Sequence, residues 1–302
     1  MKKAQGDGVE IQLAIWEGEG KEIFAVHGLT ANCRCWDPLA AMLTPHHQVL
    51  AMDLRGRGRS AKPPSGYSIE THGRDILRLL DHLGLDRVVL MGHSLGAYIS
   101  LAFAAQNPGR VSRLILIDGG GKLSPEQTAK VMAGIKISLA RLGNVFPSYE
   151  AYVEMLKKAP FLDPWSPALD TYFHYEMEET KEGVRSRVLP GAIQEDILSL
   201  TEFDASKFYP RIQCPVLILR ATEGVLSKDD LLLPEDVVQR MVRAIPRARR
   251  VDVEGTNHYS ILFHDNPTRD REILQFLEEG GNHPKANPAW NEPFSGNPNI
   301  EF

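Results

Sequence analysis

The sequence predicts an α/β protein with a mostly parallel sheet covered by helices on both sides. Three observations carry this. The runs Val88-Val89-Leu90-Met91, Leu114-Ile115-Leu116-Ile117 and Val216-Leu217-Ile218-Leu219 are apolar at every position, as strands buried on both faces require. Helical periods alternate with these runs, the pattern of an α/β sheet rather than of a bundle or a sandwich. The first run leads through Gly92-His93-Ser94-Leu95-Gly96 into a helical stretch, Ala97 to Ala105, so strand, sharp turn and helix follow one another with a serine at the apex.

Taken in order, Val9 to Trp16 and Glu22 to Val26 read as early strands separated by Gly18 and Gly20. The second ends in His27-Gly28-Leu29-Thr30. Gln48 to Met52 is a further strand, followed by Asp53-Leu54-Arg55-Gly56-Arg57-Gly58-Arg59-Ser60. Ser68 to Leu83 has a helical period, with Ile69, Ile76, Leu79, Leu80 and Leu83 apolar. After the Ser94 turn, Val111 to Ile117 is a strand closed by Asp118 and three glycines. Residues 122–208 change texture: short helical patches are interrupted by Pro147, Pro160, Pro164, Pro167 and Pro190, with no strong strand run. They read as a helical insertion over the mouth of a core made of residues 1–121 and 209–279. Within that core, Pro234 to Ile245 is helical with proline in its first turn. Arg250 to Val253 is the last strand, Gly255 to Tyr259 the loop after it, and Asp270 to Glu279 the closing helix. Residues 280–302 are rich in Asn, Pro and Gly and read as an extended or mobile tail.

Composition excludes several classes. The chain has 302 residues and a net charge of -5, which argues against a nucleic-acid-binding surface. Its three cysteines make no disulfide framework and have no metal-ligand spacing around them. Met1-Lys2-Lys3 is followed by polar Gln5, Asp7 and Glu10 rather than an apolar core, so no export signal is read. No apolar run approaches the length of a membrane span, and a reducing cytoplasm is the expected location. A homo-oligomer is compatible with this composition, and no metal or cofactor is expected.

The Ser94 turn carries the chemistry. A strand that reverses into a helix within a few residues forces its apex into a strained backbone, and glycines two before and two after let neighbouring backbone pass. The hydroxyl then stands clear of the sheet, as in a Gly-x-Ser-x-Gly nucleophile elbow. The Leu95 amide lies in the first helical turn, where N–H groups lack intrahelical partners, and is available to a developing oxyanion.

Four motifs in order, His27-Gly28, Asp53-x-Arg55-Gly56-x-Gly58-x-Ser60, Gly92-His93-Ser94-Leu95-Gly96 and Asn257-His258, make the chain resemble the α/β-hydrolase fold superfamily. Within it the chain is similar to the capped serine esterases, meta-cleavage-product hydrolases and cofactor-free haloperoxidases. The match covers Val9 to Glu279. The resemblance implies an eight-stranded sheet, Ser94 as nucleophile, His258 as general base, and Leu29 and Leu95 as backbone donors of an oxyanion hole.

The residues themselves support the pairing. A serine hydroxyl is a poor nucleophile until a base takes its proton, and imidazole titrates near neutrality. Of ten histidines, His258 follows the last strand at the sheet edge where the Ser94 turn also emerges, and His264 is its rival. The acid is open. Most relatives carry Gly-x-x-Asp after the strand that is Val216 to Leu219 here, but this chain reads Ala221-Thr222-Glu223-Gly224. Some relatives place the acid one strand earlier, where Asp118 stands. Asp118 and the alternative Glu223 are therefore both candidates.

The expected activity is cleavage of a carboxylic ester or related acyl bond in a small-molecule substrate through an acyl-enzyme. Amide, lactone and carbon–carbon bond hydrolysis and perhydrolysis are the neighbouring alternatives, and a non-catalytic ligand receptor is the alternative of another class. Dehalogenase and epoxide hydrolase chemistry is disfavoured because those relatives carry aspartate where Ser94 stands. The insertion is expected to set substrate choice, with Met132, Phe146 and Trp165 as candidate pocket residues.

Overall fold

The computed structural model describes residues 1–279. The tail of residues 280–302 lies outside the described residues. The core strands are β1 (Lys2–Gln5), β2 (Glu10–Trp16), β3 (Glu22–Val26), β4 (Gln48–Met52), β5 (Val88–His93) and β6 (Val111–Ile117). The insertion adds β7 (Val145–Phe146), β8 (Met177–Thr180) and β9 (Gly183–Ser186), and the core resumes with β10 (Val216–Ala221) and β11 (Ala248–Val253). The core helices are α1 (Asp37–Leu43), α2 (Ile69–Leu83) and α3 (Leu95–Gln106). The insertion carries α4 (Pro125–Gly134), α5 (Lys136–Ala140), α6 (Tyr149–Leu156), α7 (Pro167–Glu176) and α8 (Pro190–Glu202). Then come α9 (Glu235–Ala244), α10 (Ser260–Phe263) and α11 (Pro267–Glu278).

Eight strands form one sheet in the order β1-β2-β4-β3-β5-β6-β10-β11. The pairs from β4 to β11 are parallel, and β1 and β2 are antiparallel to their neighbours. This is the mostly parallel eight-stranded α/β sheet that the apolar runs and the motif resemblance predict. Alternate residues of each central strand feed two separate cores. Phe24, Val26, Leu90, Leu114, Leu116 and Ile218 face α2, α3 and α9. Ile23, Ala25, Met91, Ile115, Ile117 and Leu219 face α1, α10 and α11. The period of two along a strand thus explains why both faces had to be apolar.

Register positions the site. His93 pairs with Ile117, Ile117 with Leu219, and Ala221 with Val253. The chain leaves β5, β6, β10 and β11 at one edge of the sheet, and that edge collects Ser94, Asp118, Glu223 and the His258 loop. The Ser94 N–H donates to the Ile117 carbonyl at 3.1 Å and the Asp118 N–H to the Leu219 carbonyl at 2.8 Å, extending the ladders one step past the strands.

Local differences from expectation have simple causes. β1 and α1 are short and carry little period. Proline 234 caps α9 from outside, with φ -56° and ψ 156°, instead of standing in its first turn. The closing helix starts three residues earlier than its apolar period suggests, because Asn266 accepts from the Arg269 N–H and Pro267 occupies the first helical position. The insertion is not purely helical: β7, β9 and β8 form a three-stranded antiparallel sheet. Strands of two to four residues are too short to show a period-two pattern.

Candidate active site

Ser94 sits at φ 56° and ψ -123°, between the end of β5 and the start of α3. A positive φ at a non-glycine residue costs on the order of 1–3 kcal/mol and persists only where its surroundings enforce it. Here they do. A Cβ at Gly92 would lie 2.2 Å from the Gly96 carbonyl oxygen, and one at Gly96 would lie 2.0 Å from the Val26 oxygen. Only glycine fits either place, so the turn closes tightly and leaves the half-buried Ser94 facing a cavity.

The candidate oxyanion donors are held from behind. A Cβ at Gly28 would lie 3.0 Å from Ser94 Cβ and 3.5 Å from its Oγ, so this backbone is pressed against the serine. His27 accepts the Leu54 N–H at Nε2 (2.9 Å), which leaves the proton on Nδ1, and Nδ1–H donates to the Gly28 carbonyl (2.7 Å). Burial pushes its pKa down to about 3, so it stays neutral. In a trans peptide the C=O and the following N–H point in opposite directions. Fixing the Gly28 carbonyl therefore turns the Leu29 N–H away from His27. Among the described residues, neither the Leu29 nor the Leu95 N–H donates to a protein acceptor, and both residues line the cavity.

The same loop is tied to the Asp53–Ser60 stretch and to the insertion. Asp53 is fully buried and accepts the Cys33 N–H (2.7 Å), the Arg59 N–H (2.9 Å) and the Tyr175 hydroxyl of α7 (2.6 Å). Burial raises its pKa, against the opposing pull of these donors. Arg57 Nε donates to the Leu29 carbonyl at 3.0 Å, and its Nη2 lies 2.5 Å from Asp196 of α8, which also meets His72 at 2.9 Å. Burial works to raise the Asp196 pKa, but the charges of His72 and Arg57 hold it below its ordinary value. All three side chains are wholly buried. Removing one charge of such a group strands the others, which costs about 3–5 kcal/mol. Asp196→Asn is accordingly expected to lower stability by about 3 kcal/mol or more; urea unfolding followed by circular dichroism measures it.

His258 follows β11. Asn257 shapes its loop by accepting the Tyr259 and Ser260 N–H groups (2.8 and 2.9 Å) and donating to the Phe161 carbonyl (3.1 Å). The imidazole Nδ1 lies 2.7 Å from Asp118 Oδ2. A carboxylate accepts only, so Nδ1 carries the proton and Nε2 is free to take another. Asp118 is buried, at φ 45°, and its Oδ1 accepts the Ala221 N–H at 3.2 Å. His93 stacks on His258 with ring centroids 4.4 Å apart and donates from Nε2 to the His258 carbonyl at 2.9 Å. Burial holds its own pKa well below normal.

Of the two candidate acids, the geometry joins Asp118 to His258. Glu223 is exposed, and its backbone N–H, not its carboxylate, meets this region by donating to the Thr256 carbonyl at 2.9 Å. Behind it, Asp230 occupies the loop interior, accepting the Val225, Leu226 and Ser227 N–H groups. A Cβ at Gly224 would lie 2.1 Å from Asp230 Oδ1. This packing accounts for glycine where relatives carry aspartate. The rival base, His264, bonds the Pro164 carbonyl and is not among the cavity residues. Ser94 and His258 line the same cavity. No hydrogen bond joins them, as is common before substrate binds.

The cavity has a volume of about 570 Å³, within the range of small-molecule sites. Met132 lines it as expected, but Phe146 and Trp165 do not. Phe146 packs edge-on against Tyr152 and Trp165 stacks on Phe173, inside the insertion. Sequence reading missed Tyr98, Leu200 and Phe203, which do line the cavity; the edge-on packing of Phe203, just past α8, against Tyr98 of α3 is a tertiary contact that no local pattern announces. Cys35 also lines it, but burial first, then nearby Asp37, pushes its thiol well above the ordinary range, which makes it a poor nucleophile. Among the described residues, no group of three His, Cys, Asp or Glu is placed to hold a metal ion. No helix among them is long and apolar enough to cross a membrane.

This fold and this edge of the sheet define a hydrolase scaffold. The chain belongs to the α/β-hydrolase fold family: the model of that family matches residues 23–265. A protein named "Putative carbamate hydrolase RutD" from Pseudomonas savastanoi pv. phaseolicola is 32% identical over 255 residues, covering 83% of this chain and 91% of that protein. In structure, an E-2-(acetamidomethylene)succinate hydrolase superposes with a TM-score of 0.81 at 24% identity, covering 91% of this chain and 98% of the other. An enol-lactonase from Burkholderia xenovorans LB400 gives 0.70 at 21% identity, with 91% and 99% covered. The two structural likenesses establish the fold, and the family match supports a hydrolase.

Proposed function

We propose that the protein is a serine hydrolase that cleaves a carboxylic ester or related acyl bond in a small molecule through an acyl-enzyme. The observation that carries the reading is the Asp118–His258 pair at 2.7 Å, whose histidine lines the same cavity as strained Ser94. Ser94 Oγ forms a bond to the substrate carbonyl carbon while His258 Nε2 takes its proton. The Leu29 and Leu95 N–H groups receive the oxyanion, each supplying on the order of 3 kcal/mol. The bond to the leaving group breaks as His258 returns the proton to it. Water, deprotonated by His258, then releases the acid and regenerates Ser94. Asp118 holds the imidazole in the Nδ1–H tautomer and stabilises the imidazolium. Residues 122–208 act as a cap that supplies cavity wall, and the cytoplasm is the proposed location.

The test is labelling with a fluorophosphonate, followed by peptide mapping. One equivalent on Ser94 is expected, and none in Ser94→Ala. Modification elsewhere, or none, rejects the reading. Amide, lactone and diketone substrates run beside esters decide which acyl bond is preferred.

A further inference from the structure

We infer that the substrate of this site is uncharged and apolar on both sides of the scissile carbonyl, and that the site discriminates against carboxylated substrates. The inference rests on the serine-hydrolase reading and adds the substrate class to it.

The cavity straddles the top of the sheet. On one side of Ser94 its wall is Tyr98, Leu123, Leu200 and Phe203, which pack against the core beneath α3. On the other side it is Cys35, Tyr172, Leu262 and Phe263, which belong to the opposite core. The serine therefore stands between two apolar walls, one continuous with each face of the sheet. A substrate whose carbonyl meets Ser94 lays one arm on each. Burying an apolar arm is favourable by roughly 25 cal/mol per Å², whereas a carboxylate placed there loses its hydration with no compensating partner.

The charge inventory points the same way. Among the described lining residues the acidic and basic side chains, histidine aside, are Lys122, Glu202 and Asp204. Lys122 Nζ lies 2.7 Å from Asp204, so the cation is neutralised where the chain enters and leaves the insertion. Glu202 is left over, and the mouth is net negative. Just behind the wall Arg141 is buried, but Glu176 meets it with two hydrogen bonds of 3.0 Å. Its Nη2 also donates to the Thr30 carbonyl. The polar pair on the wall, Ser138 and Tyr259, is closed on itself at 2.5 Å. Lys122 on the wall and Arg141 behind it are thus each matched by a carboxylate, and the remaining charge on the described lining residues repels an anion.

The experiment compares p-nitrophenyl hexanoate with the p-nitrophenyl monoester of adipic acid, which has the same chain length and differs by a terminal carboxylate. Each rate is divided by its own alkaline hydrolysis rate, with full-length protein at low ionic strength. The hexanoate is expected to have a kcat/KM at least about tenfold higher than the adipate monoester, and also higher than the acetate. Glu202→Lys, an exposed substitution at the mouth, is expected to narrow the hexanoate-to-adipate ratio about threefold, and salt at about 0.5 M to erase that narrowing. Equal or faster turnover of the adipate monoester overturns the inference. Ser94 labelling by the fluorophosphonate with no turnover of the hexanoate overturns it too. Absence of Ser94 labelling instead overturns the serine-hydrolase reading on which it stands.

Discussion

Ser94→Ala is expected to reduce kcat by at least about 10⁴-fold while the protein stays folded. In the proposed mechanism the hydroxyl oxygen bonds to the acyl carbon, so its loss removes the covalent route, and residual rate comes from the remaining oxyanion donors and from binding. Stability separates this from misfolding. Ser94 is held at φ 56°, where any Cβ is strained. Alanine keeps that strain and should unfold within a few tenths of a kcal/mol of the parent. Ser94→Gly removes the strain and is expected to be inactive yet more stable by about 1 kcal/mol, less the flexibility glycine adds to the unfolded chain. Calorimetry of the two variants beside a p-nitrophenyl ester assay checks both halves. A fully active alanine variant, or a glycine variant that is strongly destabilised, contradicts the account of the turn.

Asp118→Asn carries the second large effect, a loss of at least about 10²-fold in kcat, against less than about tenfold for Glu223→Gln. In serine proteases the corresponding asparagine exchange costs about 10⁴-fold in turnover through the wrong tautomer. The same logic applies here because His258 Nδ1 faces Asp118 Oδ2 at 2.7 Å, and an asparagine amide there can present an N–H to the nitrogen that must itself donate. Asparagine tolerates the left-handed backbone at φ 45° and still offers an oxygen to the Ala221 N–H, so the fold should survive. Single-turnover rates on both variants, across several pH values, settle the comparison. A large loss at Glu223 with near-normal Asp118→Asn moves the acid's role to the loop after β10.

The two variants also mark where sequence reading stops. The central strands were legible because burial on both faces demands apolar residues at each position, and the runs Val88 to Met91 of β5, Leu114 to Ile117 of β6 and Val216 to Leu219 of β10 meet that demand. The serine turn was legible because glycine is forced on both sides of it by backbone contacts near 2 Å. The acid was not legible: Asp118 and Glu223 both leave strand ends at the same edge. What distinguishes them is sheet order, which sets β10 between β6 and β11 and lets Asp118 reach across to a histidine 140 residues away. Nor was the cavity wall legible. Phe146 and Trp165 have the same chemistry as Phe203, but Phe203 packs against Tyr98 of α3 and lines the cavity, whereas the other two pack against aromatic rings of the insertion. Arg57 reads as one arginine among three in a glycine-rich loop; its bond to the Leu29 carbonyl and its buried pair with Asp196 depend on a contact with α8 that no local pattern announces.

The central claim is that catalysis runs through an acyl group on Ser94. Mixing the protein with excess p-nitrophenyl hexanoate, quenching in acid within the first turnovers and mapping the digested peptides tests it most directly. The account predicts a p-nitrophenol burst close to one equivalent if deacylation is slow. It also predicts a hexanoyl mass increase confined to the peptide that contains Ser94, absent from Ser94→Ala and accumulating in His258→Gln only at a greatly reduced rate. A hexanoyl group on another residue, or rapid Ser94-independent hydrolysis with no adduct at any quench time, contradicts it.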